Sequence, residues 1–143
     1  MSGLIGELQS FYRDFLQADT DRLGRIYDPS VIFCDPIHRV EGLDALGAYF
    51  EGMSRGLESC RFEFGEAVEG SGSACLPWVM HYAHRSLKGG RPLELRGCSL
   101  LRFAERIHYH EDFYDVGAMV YEHVPLMGAL VRGIKGRMAR TAD

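Results

Sequence analysis

The sequence has few cysteines, no long apolar run and no excess of basic residues. Its four cysteines are spaced too widely to form a C-x-x-C pair, so zinc-binding and thioredoxin-like sites are disfavoured. No apolar stretch approaches the roughly 20 residues of a membrane span. With 16 basic and 20 acidic residues the formal charge is −4, which is unlike a nucleic-acid-binding surface.

The N-terminus lacks the pattern of a secretory signal. Residues 1–15 contain Glu7 and Asp14 and have no basic region ahead of an apolar one. Together with thiols that no motif pairs, this predicts a cytoplasmic protein with reduced cysteines. We expect no transmembrane segment and no nucleic-acid partner.

What the sequence does contain is typical of one folded domain. It has 143 residues, of which 46% are apolar and 25% are charged, as in an ordinary globular protein with a core. No internal repeat, low-complexity tract or change of composition marks a boundary. We therefore expect residues 1–143 to form a single domain.

Helical patterns dominate the first third of the chain. Apolar residues recur at helical spacing across residues 3–16, so one face of that helix is apolar. Asp19 can cap a second, short helix that ends near Tyr27, just before Pro29 breaks it. A third helix follows Gly42, where apolar residues again repeat at helical spacing.

Strand patterns dominate the middle of the chain. A short strand at residues 31–33 ends at Asp35-Pro36. From Asp115 the pattern becomes helical again, and Pro125 begins a fresh helical segment. Between them, four strands separated by glycine-rich hairpin turns are predicted at residues 59–69, 74–87, 92–104 and 106–114. This order of elements indicates an α+β fold, with helices on one side of a curved antiparallel sheet.

Three stretches in this order resemble a known superfamily. They are residues 16–36 (LQADTDRLGRIYDPSVIFCDP), 40–53 (VEGLDALGAYFEGM) and 106–119 (RIHYHEDFYDVGAM). Together they resemble the nuclear transport factor two-like superfamily, in its SnoaL-like and ketosteroid-isomerase-like branch. The resemblance implies a cone-shaped, curved antiparallel sheet wrapped around the N-terminal helices, with an internal pocket. It also implies a homodimer formed through the sheet, in a superfamily that contains both enzymes and non-catalytic binding modules.

The resemblance gives Asp35 a role. Ketosteroid isomerases have a general-base aspartate before a proline at this point of the chain, and Asp35 matches it. The places of their two oxyanion-binding acids fall at Phe11 and Ser99, which cannot replace strong donors, so steroid isomerase activity is disfavoured. The alternative is that Asp35 is a turn residue whose carboxylate accepts hydrogen bonds from nearby backbone N–H groups. His38 and Arg39 follow closely enough to pair with it.

Titratable residues alternate along the last predicted strand. His108, His110, Asp112 and Tyr114 share one face, and a more apolar set shares the other. We expect the first face to look into the cavity, where a His next to an Asp can shuttle protons. Asp112 also resembles the acid/base aspartate of SnoaL-like cyclases, whereas Asp115 fits better as a helix N-cap.

Two alternatives apply to this strand. Its histidines can simply lie on a solvated face. His108 and His110 can also join a carboxylate in a 2-His-1-carboxylate metal site, but an H-x-H pair is common by chance. We therefore expect no metal and no organic cofactor.

Neighbouring strands supply the expected pocket wall. Trp78 and Tyr82 share one face of the middle strand and could stack on an apolar ligand. The next strand presents Ser99 from an otherwise apolar face, which suits a hydrophobic small molecule. With His38 and Tyr114, these are the residues that we expect to line the pocket.

The C-terminal segment is amphipathic and cationic. Its positive charges are at Arg132, Lys135, Arg137 and Arg140. It could lie on an anionic membrane surface. Packing over the barrel mouth or a dimer mate is favoured, because its glycines each weaken an isolated helix by about 1 kcal/mol.

These patterns together predict a small-molecule pocket protein. If it is an enzyme, we expect cofactor-free acid/base chemistry of the isomerase, cyclase or hydratase type on an apolar, oxygenated substrate. Asp35 is then the base, and His108, His110 and Asp112 relay or orient protons. The alternative is a non-catalytic ligand-binding or protein-interaction module of the same fold.

Overall fold

The computed structural model describes residues 2–119 and 126–141 of the chain. The α-helices in these residues are α1 (Ser2–Arg13), α2 (Leu23–Ile26), α3 (Leu43–Ser54), α4 (Val116–Met119) and α5 (Met127–Thr141). The strands are β1 (Tyr27–Cys34), β2 (Arg39–Glu41), β3 (Leu57–Phe64), β4 (Val68–Gly70), β5 (Ser73–His84), β6 (Leu93–Phe103) and β7 (Ile107–Tyr114). Single turns of 3-10 helix occur at Phe15–Gln17, Thr20–Arg22 and Lys88–Gly90.

The strands form one open sheet with the order β2-β1-β7-β6-β5-β3, and β4 pairs with the far end of β5. The predicted α+β fold with a curved sheet and N-terminal helices is confirmed. One strand pair differs from the predicted antiparallel arrangement, because β1 runs parallel to β7. The parallel pair brings the carboxyl ends of β1 and β7 to the same edge of the fold, which matters for the site described below.

Strand β1 begins at Tyr27, earlier than the strand predicted at residues 31–33. Pro29 is tolerated inside it because no ladder hydrogen bond is required there. Strand β2 pairs only with residues 32–34 of β1, and the pairing with β7 is irregular between Tyr27 and Ile32. Pro29 therefore lies at a position where no carbonyl group of a neighbouring strand requires its missing N–H donor.

The strand predicted at residues 59–69 is two strands. Gly65 donates its backbone N–H to the carbonyl of Pro77 at 2.9 Å, and the chain then turns before β4 begins at Val68. Strand β2, only three residues long, had no distinct pattern in the sequence. Asp19 does cap the second helical segment, since its carboxylate accepts the N–H of Asp21 at 2.9 Å.

The main core lies between the N-terminal helices and the inner face of the sheet. Helix α1 packs on β3, and α3 packs on β1. The side chains at this interface are aromatic or branched and fully buried, among them Leu8, Phe11, Ile26, Tyr27, Val31, Phe33 and Leu46. A second, smaller cluster forms around Trp78, Tyr82 and Leu95. The helices thus fill one end of the sheet and leave space at the other.

The C-terminal helices lie beside that open end. Asp115 caps α4 by accepting the backbone N–H of Ala118 at 3.3 Å, as predicted, and its other oxygen accepts a hydrogen bond from Lys135 of α5. The predicted start of a segment at Pro125 lies outside the described residues. On α5, apolar side chains such as Leu130 and Met138 are exposed. Among the described residues, no helix is long and apolar enough to cross a membrane.

Candidate functional site

A cavity of about 430 Å³ lies between the inner face of the sheet and helices α1 and α3. This volume is within the range of small-molecule sites. Most of its wall is apolar or aromatic, including Tyr12, Phe15, Phe33, Tyr49, Phe50, Phe62, Trp78, Tyr82 and Tyr114. Its few polar side chains are Asp35, His38, His84, Ser86 and Asp112.

Asp35 lies in the turn after β1, with its side chain only 3% exposed. Its Oδ1 atom accepts the backbone N–H groups of Ile37 at 2.8 Å and of His38 at 2.7 Å. Its Oδ2 atom accepts the hydroxyl of Tyr49 from α3. Asp35 is thus a turn residue, as the alternative interpretation predicted, and its carboxylate also lines the cavity.

The parallel pairing of β1 and β7 brings Asp35 towards Asp112. Cys34 is in register with Glu111, so the next residues along the two strands are Asp35 and Asp112. Adjacent strands lie about 4.8 Å apart, and in-register residues of a parallel pair point to the same face. Both carboxylates consequently line the same cavity.

Asp112, on the cavity wall, is the centre of a chain of side-chain hydrogen bonds. Its Oδ1 atom lies 2.7 Å from Nε2 of His110 and accepts the hydroxyl of Ser99 at 2.5 Å. The oxygen of Ser99 in turn accepts the indole N–H of Trp78 at 2.9 Å. The wall holds Asp112 through side chains from β5, β6 and β7.

The same chain continues through His110 into the core. His110 is 1% exposed, and its Nδ1 atom lies 2.8 Å from the hydroxyl of Tyr27. That hydroxyl is 3.3 Å from the hydroxyl of Tyr12, which lines the cavity. Both ring nitrogens of His110 therefore have a polar partner, Asp112 at Nε2 and the hydroxyl of Tyr27 at Nδ1.

The tyrosines around the cavity keep their protons. Burial raises the pKa of Tyr49 above its usual value, and the hydrogen bond and negative charge of Asp35 add to the shift. Burial likewise raises the pKa of Tyr114, with further contributions from the charges of Asp35 and Asp112. Burial also raises the pKa of Tyr12 and Tyr27. At neutral pH these phenols are therefore hydrogen-bond donors.

His108 does not share the cavity-facing side with His110, so that part of the strand prediction is wrong. The partner of Arg102 is Tyr109 and the partner of Phe103 is Ile107, which leaves His108 as an extra, exposed residue in a β-bulge. A bulge shifts the alternation by one position. Ile107 and His110 are therefore both buried, and His110 is the one that contacts Asp112.

The bulge also separates the two imidazoles of the proposed metal alternative. His108 is exposed and His110 is buried, so they do not converge on one point. Within residues 2–119 and 126–141, no three His, Cys, Asp or Glu side chains are arranged to hold a metal ion. The geometry of the described residues gives no support to a 2-His-1-carboxylate set.

The structure places most of the expected pocket residues on the cavity wall. His38, Trp78, Tyr82 and Tyr114 line it. Ser99 does not; it is 5% exposed and lies behind Asp112, where it links that carboxylate to the indole. Arg39 pairs with Glu41 at 3.3 Å rather than with Asp35.

Three tyrosines of the site, Tyr12, Tyr27 and Tyr49, were not predicted from the sequence. Tyr27 was placed only at the end of a helix. A buried tyrosine hydroxyl almost always has a hydrogen-bond partner. That rule predicts a hydrogen-bond partner for the hydroxyl of Tyr49, but it does not identify Asp35 as that partner.

Residues 8–110 match the model of the SnoaL-like domain family. Similar solved structures include a nuclear transport factor two-like protein from Burkholderia pseudomallei K96243, with a TM-score of 0.73, 19% identity, and coverage of 84% of this chain and 96% of that chain. No curated protein sequence matches the chain.

Two further structures share the fold. One is a protein with a ketosteroid isomerase-like fold from Catenulispora acidiphila DSM 44928 in complex with trimethylamine (TM-score 0.71, 14% identity, 82% of this chain and 90% of that chain). The other is a candidate SnoaL-like polyketide cyclase from Jannaschia sp. CCS1 (TM-score 0.71, 12% identity, 82% of this chain and 89% of that chain). At these identities the likeness extends to the fold alone.

Proposed function

This chain belongs to the SnoaL-like domain family, and from that premise we propose that it binds an apolar, oxygenated small molecule and rearranges it by acid/base catalysis. The observation that carries the proposal is that Asp35 and Asp112, from neighbouring parallel strands, line one largely aromatic cavity. Isomerisation, cyclisation and hydration all require a base and a proton donor close to the same substrate, and no organic cofactor.

Asp35 is the proposed base. Two backbone N–H groups hold its Oδ1 atom, and the hydroxyl of Tyr49 contacts its Oδ2 atom, which retains a further lone pair. A carboxylate held in this way meets a substrate proton without first having to reorient. The proton it would take lies on a carbon next to a carbonyl group, whose oxygen then gains negative charge.

Tyr114 is the proposed donor to that oxygen. It lines the cavity, its raised pKa keeps its proton in place at neutral pH, and no described residue accepts its hydroxyl hydrogen. A preorganised donor at a developing oxyanion supplies a large part of the rate enhancement in such reactions. Tyr114 would thereby supply a donor that Phe11 and Ser99 do not.

Asp112 and His110 are proposed to handle the second proton transfer. Asp112 lines the cavity and can contact a substrate, whereas His110 is buried behind it and acts as a positioning residue. The 2.7 Å contact between them fixes the orientation of the carboxylate.

A second candidate function is ligand binding without catalysis. It is favoured by one specific observation: the carboxylate of Asp35 already accepts three hydrogen bonds, as a purely structural turn residue would. In that case the cavity would carry or sense a small molecule without converting it. The fold relative from Catenulispora acidiphila was solved in complex with trimethylamine, so a protein with this fold can hold a small molecule.

The proposed partner is a second copy of the chain, joined through the outer face of the sheet. Phe113 lies on that face of β7 and is 51% exposed. An apolar side chain at the middle of a sheet face is typical of a dimer interface.

The experiment that tests the proposed function starts from the purified protein. Small molecules are extracted with methanol, identified by mass spectrometry, and then incubated with fresh protein while products are followed. A bound apolar molecule that the protein converts would support the enzyme. A bound molecule that stays unchanged would support the binding module, and the absence of any cavity ligand across extracts and compound screens would contradict both.

A further inference from the structure

The ionisable side chains of the cavity wall include acidic residues but no lysine or arginine among the described residues. Two carboxylates, Asp35 and Asp112, line it. Among the described residues of its wall there is no lysine and no arginine, and only His38 and His84 could carry a positive charge. A cavity with low-dielectric walls and one sign of charge concentrates ligands of the opposite sign.

Asp112 offers an oxygen to an occupant. Its Oδ1 atom is taken by His110 and Ser99, whereas no donor from the described residues reaches its Oδ2 atom. Both partners contact Oδ1, so Oδ2 remains available to a donor on a molecule in the cavity. A charge in an apolar wall is costly unless a counter-charge accompanies it.

The aromatic rings beside Asp112 suit a cation as well. Trp78 packs against Phe62, with ring centroids 5.4 Å apart, and against Tyr114 at 6.4 Å. The faces of aromatic rings are electron-rich and attract ammonium groups, most strongly in the case of tryptophan and where water is excluded. Rings and carboxylate here border the same space.

We infer that the natural ligand is an apolar molecule carrying a positively charged nitrogen, an ammonium or quaternary amine, which lies beside Asp112 and the Trp78 ring. This inference rests on the proposed function, because it names the class of ligand for the same cavity. A neutral ligand of equal shape would gain no charge–charge attraction to the Asp112 carboxylate. An anionic ligand would meet two like charges.

The test uses a matched pair of probes. (3-Hydroxyphenyl)trimethylammonium and 3-tert-butylphenol differ only in the replacement of N⁺ by carbon, and 3-hydroxybenzoate supplies the opposite charge. Trp78 is the sequence's one tryptophan and lines the cavity, so its fluorescence reports binding there. We expect the ammonium to bind at least about tenfold more tightly than the neutral phenol, and the benzoate most weakly.

Substitutions identify the source of the preference. In Asp112→Asn the preference for the ammonium should fall to about twofold or less, since the amide keeps the size and the acceptor but not the charge. Glu111→Gln is the matched control, because it removes one negative charge from the same strand on the outer face. If Asp112→Asn does not fold, as judged by circular dichroism, Asp35→Asn replaces it, with a smaller loss of preference expected.

The outcomes separate this inference from the proposed function. Equal or tighter binding of 3-tert-butylphenol would overturn the inference and leave the cavity as a site for neutral molecules. A preference that is lost equally in Glu111→Gln would also overturn it, since net charge alone would then be the cause. If none of the probes changes the fluorescence of Trp78, both the inference and the proposed cavity site are contradicted.

Discussion

Nε2 of His110 lies 2.7 Å from Oδ1 of Asp112, two residues further along the same strand. Alternation along β7 places both side chains on the inner face, and the hydroxyl of Tyr27 fixes the other ring nitrogen. The pair joins a buried imidazole to a carboxylate that lines the cavity. Loss of this contact should therefore lower the stability of the protein and also disturb the proposed site.

Replacing His110 by leucine should destabilise the protein, and replacing His108 should not. The His110→Leu change would remove one hydrogen-bond partner from Asp112 and one from Tyr27, and losing a hydrogen bond at a buried polar group costs about 1–3 kcal/mol. His108→Leu, at the exposed position of the bulge, should change stability by less than about 0.5 kcal/mol. Urea unfolding followed by circular dichroism measures both, and equal losses in the two variants would contradict the assigned burial.

Alkaline pH should destabilise the protein through its buried tyrosines. Burial raises the pKa of Tyr12, Tyr27, Tyr49 and Tyr114 in the folded state, whereas in the unfolded chain tyrosine titrates near about pH 10. Between these two values the unfolded state binds fewer protons, so the free energy of unfolding falls as pH rises. Below about pH 10 the contribution is fully present.

The measurement is urea unfolding at a series of pH values from neutral to strongly alkaline. Stability should fall above about pH 10, and Tyr49→Phe should make the fall shallower because one shifted group is removed. Ultraviolet titration of the folded protein should show fewer tyrosines ionising near pH 10 than the seven in the sequence. Seven tyrosines that ionise together near pH 10 would show that these phenols are not buried as described.

Cys60 should be the least reactive of the four thiols. It lies on the cavity wall, and burial raises its pKa to about 12. Because the thiolate is the nucleophile, alkylation by iodoacetamide at neutral pH should label Cys60 last. Mass spectrometry of digests taken over time gives the order, with Cys34 on β1 as the internal comparison. Early labelling of Cys60 would indicate that its side of the cavity opens to solvent.

Phe113→Asp should convert the proposed homodimer to a monomer. The charge would be placed in the middle of the outer sheet face, where a partner would have to bury it. Size-exclusion chromatography with light scattering gives the mass of each species. Val68→Asp is the matched control, since Val68 is 70% exposed on the short strand β4. A dimer that persists in Phe113→Asp would place the interface elsewhere.

Most of the fold was predictable because its signals are local. Helical spacing in α1 and α3 and the turns around Gly72 and Gly89 depend on residues close together in sequence. The cap at Asp19 is equally local. The parallel pairing of β1 with β7 is not, because it joins segments about half the chain apart, and no periodicity records it.

The site was predictable only in part, for the same reason. Asp35 and Asp112 could be proposed from a family resemblance, but their convergence follows from the parallel pair. The bulge at His108 could not be predicted. The sequence alternates regularly through this position, whereas the pairing of β6 with β7 shifts by one residue there. Tyr27, which holds His110, comes from a strand that the sequence pattern assigned to the end of a helix.

The most direct test of the account is the rate at which the protein converts the molecule extracted from its cavity, compared between two aspartate variants. Asp35→Asn should lower kcat by about 10²–10⁴-fold, the usual contribution of a general base, with little change in folding. Asp28→Asn is the matched control, because Asp28 also accepts a backbone N–H, from Ser30 at 2.9 Å, but does not line the cavity. Its activity should be unchanged. If Asp35→Asn keeps the rate of the unaltered protein, Asp35 is a turn residue only and the proposed mechanism is wrong.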